Sequence, residues 1–338
     1  MQMKTCLSDL GKGRVEPGYL FYGEEEYLKE QALGQLRRLT LAPGMEMMDE
    51  QAVEGQGMSL ADYRRLVDTP PFMSPRRLVV VRDDPRFGAG AKPGKEDKAQ
   101  LQSLAEHLGD MATLVFYVRG ALPASQGWLK LLDGPLAAVN FAPLTAREAA
   151  PWIRRMAKQA GVELAAGTAE YLFEYAGGLL KPVESEMGKL AAYCQGGTAD
   201  RAAVEAICVQ AVEHKVFAMV DDLMAGRGDR ALSAYRALVQ DGEAPARLLA
   251  LLAGQLRVWA RAGEVSRAGM SSAEAAKALG AKPFVVDKAL RRGASGSGRW
   301  NEALLWCADA DTAIKSGAMS EETCVEYFIM RLVQQTAR

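Results

Sequence analysis

Histidine is nearly absent. The 338 residues hold two, His107 and His214, far apart and without H-E-x-x-H or similar spacing. A metal centre built on imidazoles is excluded, and a Ser-His-Asp triad has only two possible bases. Each reads as an ordinary surface or partly buried histidine. Cysteine is scarce in useful patterns. Cys6, Cys194, Cys208, Cys307 and Cys324 make an odd count with no C-x-x-C pair. That argues against a disulfide framework or a zinc knuckle and for reduced thiols. No apolar run reaches about 18 residues, so no membrane span is expected. The opening MQMKTCLSDLGKGRVEPGYLFYG has no uninterrupted apolar core, so no secretory signal is expected and the location reads as cytoplasmic. Excess charge is missing too: 41 Lys and Arg face 42 Asp and Glu, a net of −1. A uniformly basic nucleic-acid coat is thereby excluded, but a local basic patch is not.

What remains is an ordinary globular composition, 49% hydrophobic and 25% charged. At ~150 residues per domain the length suggests two or three domains. The first 144 residues alternate between strand and helix signals. Gly18–Gly23 is a short apolar and aromatic run closed by glycine, a buried-strand pattern. Glu24 to Thr40 follows as a helix, with three glutamates in its first turn and Leu28, Ala32, Leu36 and Leu39 as its apolar stripe. A weak strand is expected near Met47–Val53, and Ser59 caps a helix from Leu60 to Val67. Arg77–Arg82 is the clearest strand, continuous and β-branched as an interior parallel strand should be. Arg86 to Lys98 reads as a mobile loop, rich in Gly and Lys. A helix at 100–108, a strand at 113–118, a short helix at 128–132 and a strand at 138–142 complete the pattern. Such alternation implies a parallel sheet covered by helices on both faces.

From Thr145 onward strand signals nearly vanish. Thr145 and Glu148 form a capping box. Helices are expected at 146–160, 167–176, 179–195 and 200–209. Seven more follow, at 213–225, 228–240, 244–263, 271–279, 283–291, 299–316 and 320–336. Breaks near 144 and 210 divide the chain into 1–144, 145–210 and 211–338.

Catalytic machinery is hard to find. A phosphate-binding loop after a strand needs G-x-x-x-x-G-K-[ST], whose backbone amides and lysine hold the phosphates. The three Gly-Lys pairs, Gly11-Lys12, Gly94-Lys95 and Gly188-Lys189, lack both the following Ser or Thr and the earlier glycine. Where such a loop belongs stands Gly23-Glu24-Glu25-Glu26, and three carboxylates repel a triphosphate. Asp83 and Asp84 close the Arg77–Arg82 strand in the manner of a metal-binding strand end. With no phosphate cradle beside them they read as a turn. No catalytic residue, cofactor site or metal site is assigned.

Six segments, in order, carry a resemblance. They are Gly18–Glu30 (GYLFYGEEEYLKE), Thr69–Asp83 (TPPFMSPRRLVVVRD), Val216–Gly226, Leu248–Arg257, Leu279–Val286 and Asp309–Gly317. Together they resemble the delta subunit of bacterial DNA polymerase III and cover nearly the whole length. The resemblance implies an α/β AAA+-like first domain with a parallel sheet that has lost its ATP site. A small helical lid and an all-α collar that joins other clamp-loader subunits in a ring of five would follow. It also implies that partners, not this chain, hydrolyse ATP. No Ser-Arg-Cys arginine-finger motif is present; the nearest string, Ser266-Arg267-Ala268, lies in the wrong domain.

The family opens the sliding clamp with an exposed hydrophobic wedge, and the matching positions are Phe72 and Met73. They stand between Pro70-Pro71 and Ser74-Pro75. Prolines stiffen a loop, so presenting two apolar side chains there costs less entropy on binding. On the residues alone, Phe72 could equally fold back into its own core. The implied partners are the sliding clamp (beta), the gamma/tau and delta-prime subunits through the collar, and primer–template DNA. Ten basic residues against three acidic ones between 247 and 299 could face phosphates. Arg257, Arg261, Lys282, Lys288, Arg291, Arg292 and, further on, Lys315 are the candidates. The expected function is therefore a non-catalytic clamp-loader subunit of the polymerase holoenzyme, a nucleotidyltransferase. The alternatives are a degenerate AAA+ ATPase and a DNA-binding protein that works without a clamp.

Overall fold

Alternation of strand and helix produces one parallel sheet in the first of two compact units, Met1–Pro143 and Leu144–Arg338. The computed structural model describes residues 1–88, 90–123, 127–132, 136–291 and 297–336. Strands β1 (Gly18–Tyr22), β2 (Glu50–Glu54), β3 (Arg77–Arg82), β4 (Ala112–Tyr117) and β5 (Ala137–Asn140) lie in the order β2-β3-β4-β1-β5. Leu20 of β1 stands opposite Phe116 of β4 on one side and Ala138 of β5 on the other. β3, β4 and β1 are interior strands, and this is why they are apolar on both faces. Leu78, Val79, Val80 and Val81 are all fully buried. Burying one such side chain contributes roughly 1.5–3 kcal/mol over leaving it in water.

Six helices accompany the strands: α1 (Met3–Gly11), α2 (Glu26–Thr40), α3 (Glu46–Asp49), α4 (Leu60–Asp68), α5 (Lys95–His107) and α6 (Gly127–Leu132). On one face Leu20, Val79, Val81, Leu114 and Phe116 pack with Tyr63, Leu104 and Trp128 of α4, α5 and α6. The alternate strand residues Phe21, Val80 and Val115 are also buried, and successive strand side chains point to opposite faces.

Three local expectations need correction. α1 was not foreseen; its N-cap Gln2 makes no side-chain cap, yet Cys6 and Leu10 are buried. The expected loop from Arg86 to Lys98 holds regular structure at both ends: Pro85–Phe87 forms a 3-10 turn with Phe87 buried, and α5 already starts at Lys95. Its start is fixed by Asp97, whose carboxylate accepts the Gly94 amide at 2.6 Å. Finally, β2 begins at Glu50, because Glu46–Asp49 closes into a helical turn first.

The second unit is almost wholly helical. Its first helices are α7 (Ala146–Ala160), α8 (Thr168–Tyr175), α9 (Leu180–Cys194) and α10 (Arg201–Ile207). Two-residue strands β6 (Glu163–Leu164) and β7 (Thr198–Ala199) pair in parallel. The Thr145–Glu148 capping box opens α7, and Gly161 at φ 78° closes it. Then come α11 (Val212–Met224), α12 (Gly228–Gln240), α13 (Pro245–Arg267), α14 (Ser272–Leu279), α15 (Pro283–Arg291), α16 (Ser297–Ser316) and α17 (Glu321–Thr336). Phe217, Leu252, Trp259, Trp300 and Phe328 lie in their shared core. Among the described residues no helix is long and apolar enough to cross a membrane.

Candidate functional site

At the end of β1 two backbone amides are already taken. Gly23 donates to the Gly120 carbonyl at 2.7 Å, and Glu25 to the Phe141 carbonyl at 3.0 Å. A phosphate cradle needs such amides directed at a ligand. Gly23 has φ 113°, and a Cβ there would stand 2.3 Å from the Phe141 oxygen, so only glycine fits. One turn into α2, Lys29 is fully buried. Its ammonium donates to the Val118 carbonyl at 2.8 Å and to Glu26 at 2.5 Å, and it lies over the Tyr117 ring. Burial lowers the lysine's pKa, and the hydrogen bond and charge of Glu26 oppose that shift. Tyr117 in turn donates its hydroxyl to Glu26 at 2.8 Å.

The two acids after β3 are likewise engaged within the chain. Asp83, at φ 46°, pairs with Arg119. Burial raises its pKa, but the hydrogen bonds and charge of Arg119 outweigh burial and hold it below the ordinary value. Asp84 is buried, accepts the Tyr63 hydroxyl at 2.6 Å and pairs with Arg86 at 2.7 Å.

The loop between α4 and β3 is built differently. Its two large apolar side chains face solvent: Phe72 is 69% exposed and Met73 66%. The backbone beneath them is fixed. Asp49, the last residue of α3, is fully buried and points its carboxylate at the loop. Oδ1 accepts the Phe72 amide at 2.5 Å, and Oδ2 accepts those of Met73 at 3.1 Å and Ser74 at 2.8 Å. Burial pushes the pKa of Asp49 up, but these amides and the Ser74 hydroxyl push harder and keep it well below the usual carboxylate range. Ser74 also accepts the Ala42 amide at 2.9 Å, and the Arg76 amide reaches the Thr40 carbonyl at 3.1 Å. Just ahead of Asp49, Met47 is 95% exposed and Met48 55%. Sequence reading missed Asp49, Met47 and Met48; a methionine-rich turn, Met45-Glu-Met-Met-Asp49, was the available signal.

The basic candidates are spread over the second unit. Arg257 and Arg261 are exposed, one turn apart on α13, and Arg261 bonds Glu264 at 2.9 Å. Lys282 donates to the Gly177 carbonyl at 2.8 Å, and Lys315 pairs with Asp311 at 2.6 Å. Arg292 and the side chains of Lys288 and Arg291 lie outside the described residues.

Comparison with known proteins adds an independent line. The family model described as DNA polymerase III, delta subunit, matches residues 19–141. The model described as DNA polymerase III delta subunit, C-terminal domain, matches residues 213–332. The DNA polymerase III subunit delta of Bacillus subtilis (strain 168) is 22% identical over 337 residues, 97% of this chain and 96% of that protein. The solved Bacillus subtilis DNA clamp loader delta protein (YqeN) superposes with a TM-score of 0.65 at 19% identity, covering 98% of this chain and 99% of that one. At that identity the superposition establishes the fold.

Proposed function

Because the chain belongs to the DNA polymerase III delta-subunit family, we propose that it is a non-catalytic clamp-loader subunit that grips the sliding clamp through Phe72 and Met73. The observation that carries this reading is the loop tip. Two large apolar side chains stand in solvent on a backbone held by a buried carboxylate. Exposing them is unfavourable in the free chain, and an apolar pocket on a partner reverses that. Phe is a rigid anchor, and Met adapts to an irregular pocket. Binding that favours an open or distorted ring over a closed one holds the ring open without hydrolysis by this chain.

The remaining parts of the proposal follow the family. Residues 1–144 form the AAA+-like clamp-binding domain, 145–210 a lid, and 211–338 a collar that meets the gamma/tau and delta-prime subunits. The subunit works in the cytoplasm, within a holoenzyme whose polymerase is the nucleotidyltransferase. Exposed Arg257 and Arg261 on one side of α13 are the proposed first contacts with primer–template phosphates. Lys288, Arg291 and Arg292 belong to the same basic stretch. Lys282 and Lys315 each hold an oxygen of this chain, as Arg261 holds Glu264, and would exchange it for a phosphate.

The test is capture of the sliding clamp by wild type and by Phe72→Ala/Met73→Ala. The double variant is expected to lose on the order of 100-fold or more in affinity, as two buried anchors would, with an unchanged melting temperature. Wild-type affinity in the variant would overturn the reading.

A further inference from the structure

We infer that Asp49 is the positioning residue of the apolar tip: its carboxylate holds the Phe72–Ser74 backbone in the shape that presents Phe72 and Met73 to the partner. The inference rests on the reading that these two residues engage the clamp.

The loop has little means of ordering itself. Pro70, Pro71 and Pro75 carry no N–H, so the tip has few backbone donors with which to make a turn of its own. The three donors it does have, on Phe72, Met73 and Ser74, all converge on one carboxylate. Consecutive amides wrapped round an anion form a nest, a site that usually recruits an anion from elsewhere. Here the anion comes from α3, more than 20 residues earlier in the chain.

Placing the carboxylate there is otherwise unfavourable. It is fully buried, and its hydrogen-bond donors are amides and a hydroxyl with no cation among them. Burial of a charge without a cation is tolerated only where hydrogen bonds compensate. The return for that penalty lies in the loop. Fixing the backbone of three residues costs conformational entropy. A tip already fixed in the free subunit does not incur that loss when the partner arrives. The same carboxylate ties the tip to the turn that carries exposed Met47 and Met48, so the four side chains share one end of the sheet.

The experiment uses the full chain. Clamp affinity, melting temperature and residue-resolved amide exchange are measured for wild type, Asp49→Asn, Ser74→Ala and Phe72→Ala/Met73→Ala. Asp49→Asn is expected to weaken clamp binding on the order of tenfold. Exchange at Phe72, Met73 and Ser74 should quicken while that at Val79–Val81 stays slow. Ser74→Ala, which removes one donor and the Ala42 anchor, should weaken binding about threefold with the same local signature. Should Asp49→Asn fail to fold, Ser74→Ala decides alone. Unchanged affinity in these variants, while Phe72→Ala/Met73→Ala loses it, overturns the positioning role and leaves the clamp reading standing. Weakened binding accompanied by fast exchange throughout β3 also overturns it, because Asp49 would then act on the whole fold. Full affinity in Phe72→Ala/Met73→Ala removes the clamp reading and the positioning role together.

Discussion

The ammonium of Lys29 lies 2.8 Å from the carbonyl oxygen of Val118, over the ring of Tyr117. A lysine in the first turns after β1 could have served a triphosphate. This one is sealed in the fold, and the amides of Gly23 and Glu25 are bonded to protein carbonyls. Millimolar Mg-ATP should therefore leave the melting temperature unchanged. A site with a Kd near 0.1 mM would contribute about 1.4 kcal/mol at 1 mM ligand. That is a rise of roughly 3–6 °C for a unit of this size. A rise of that size in a thermal-shift titration would revive the ATPase alternative.

Gly23 should tolerate no side chain. Gly23→Ala sets a methyl 2.3 Å from the Phe141 oxygen on a backbone at φ 113°. The strain should lower stability by about 2–3 kcal/mol, read as a shift of the urea midpoint. A midpoint within error of wild type would show that the β1 and β5 ends part easily.

Thiol chemistry should separate the cysteines sharply. Burial pushes Cys208 and Cys307 up to about 11, and burial with the nearby charge of Asp9 pushes Cys6 up to about 12. Cys324 is buried as well, and Cys194 is only half-buried. A disulfide reagent at pH 8 should modify Cys194 quickly and the other four only on unfolding. The raised values also set the alkaline limit. The unfolded chain ionises these thiols near 9.0, whereas the folded chain keeps them protonated. Their stabilising contribution is whole below pH 9 and declines as pH climbs toward 11. Rapid reaction of four or five thiols at pH 8 would contradict the packing.

Met47 and Met48 offer a further check on the tip. Met47→Ser/Met48→Ser leaves the Asp49 bonds in place and removes only exposed apolar surface. If the clamp covers this turn along with Phe72 and Met73, affinity should fall about tenfold or less with no loss of stability. Equal affinity would confine the contact to the Phe72–Met73 pair.

Sequence reading worked where one residue pattern has one physical solution. Arg77–Arg82 is an interior strand because an unbroken β-branched run needs apolar cover on both sides. Thr145 and Glu148 cap α7 because their spacing permits both reciprocal bonds. It failed where the decisive partner is remote. α1 lacks a side-chain cap, and its helix is defined by what Cys6 and Leu10 bury against. Phe72 and Met73 were visible as an apolar pair between prolines, but nothing local distinguishes Asp49 from the acids around it. Its role depends on amides on the far side of β2 and α4.

The position of β1 in the sheet has a consequence for synthesis. β1 is hydrogen-bonded to β4 and β5, so the first strand made must wait for the last two. Until residues near Asn140 leave the ribosome, an aromatic and aliphatic segment stays unpaired. Contacts this distant in sequence slow folding and leave the nascent chain open to aggregation. The helical unit that follows has distant contacts of its own, α13 with α16 and α12 with α17. Within the α/β unit, the interval between release of β1 and release of β5 is the stage at which a chaperone has most to protect.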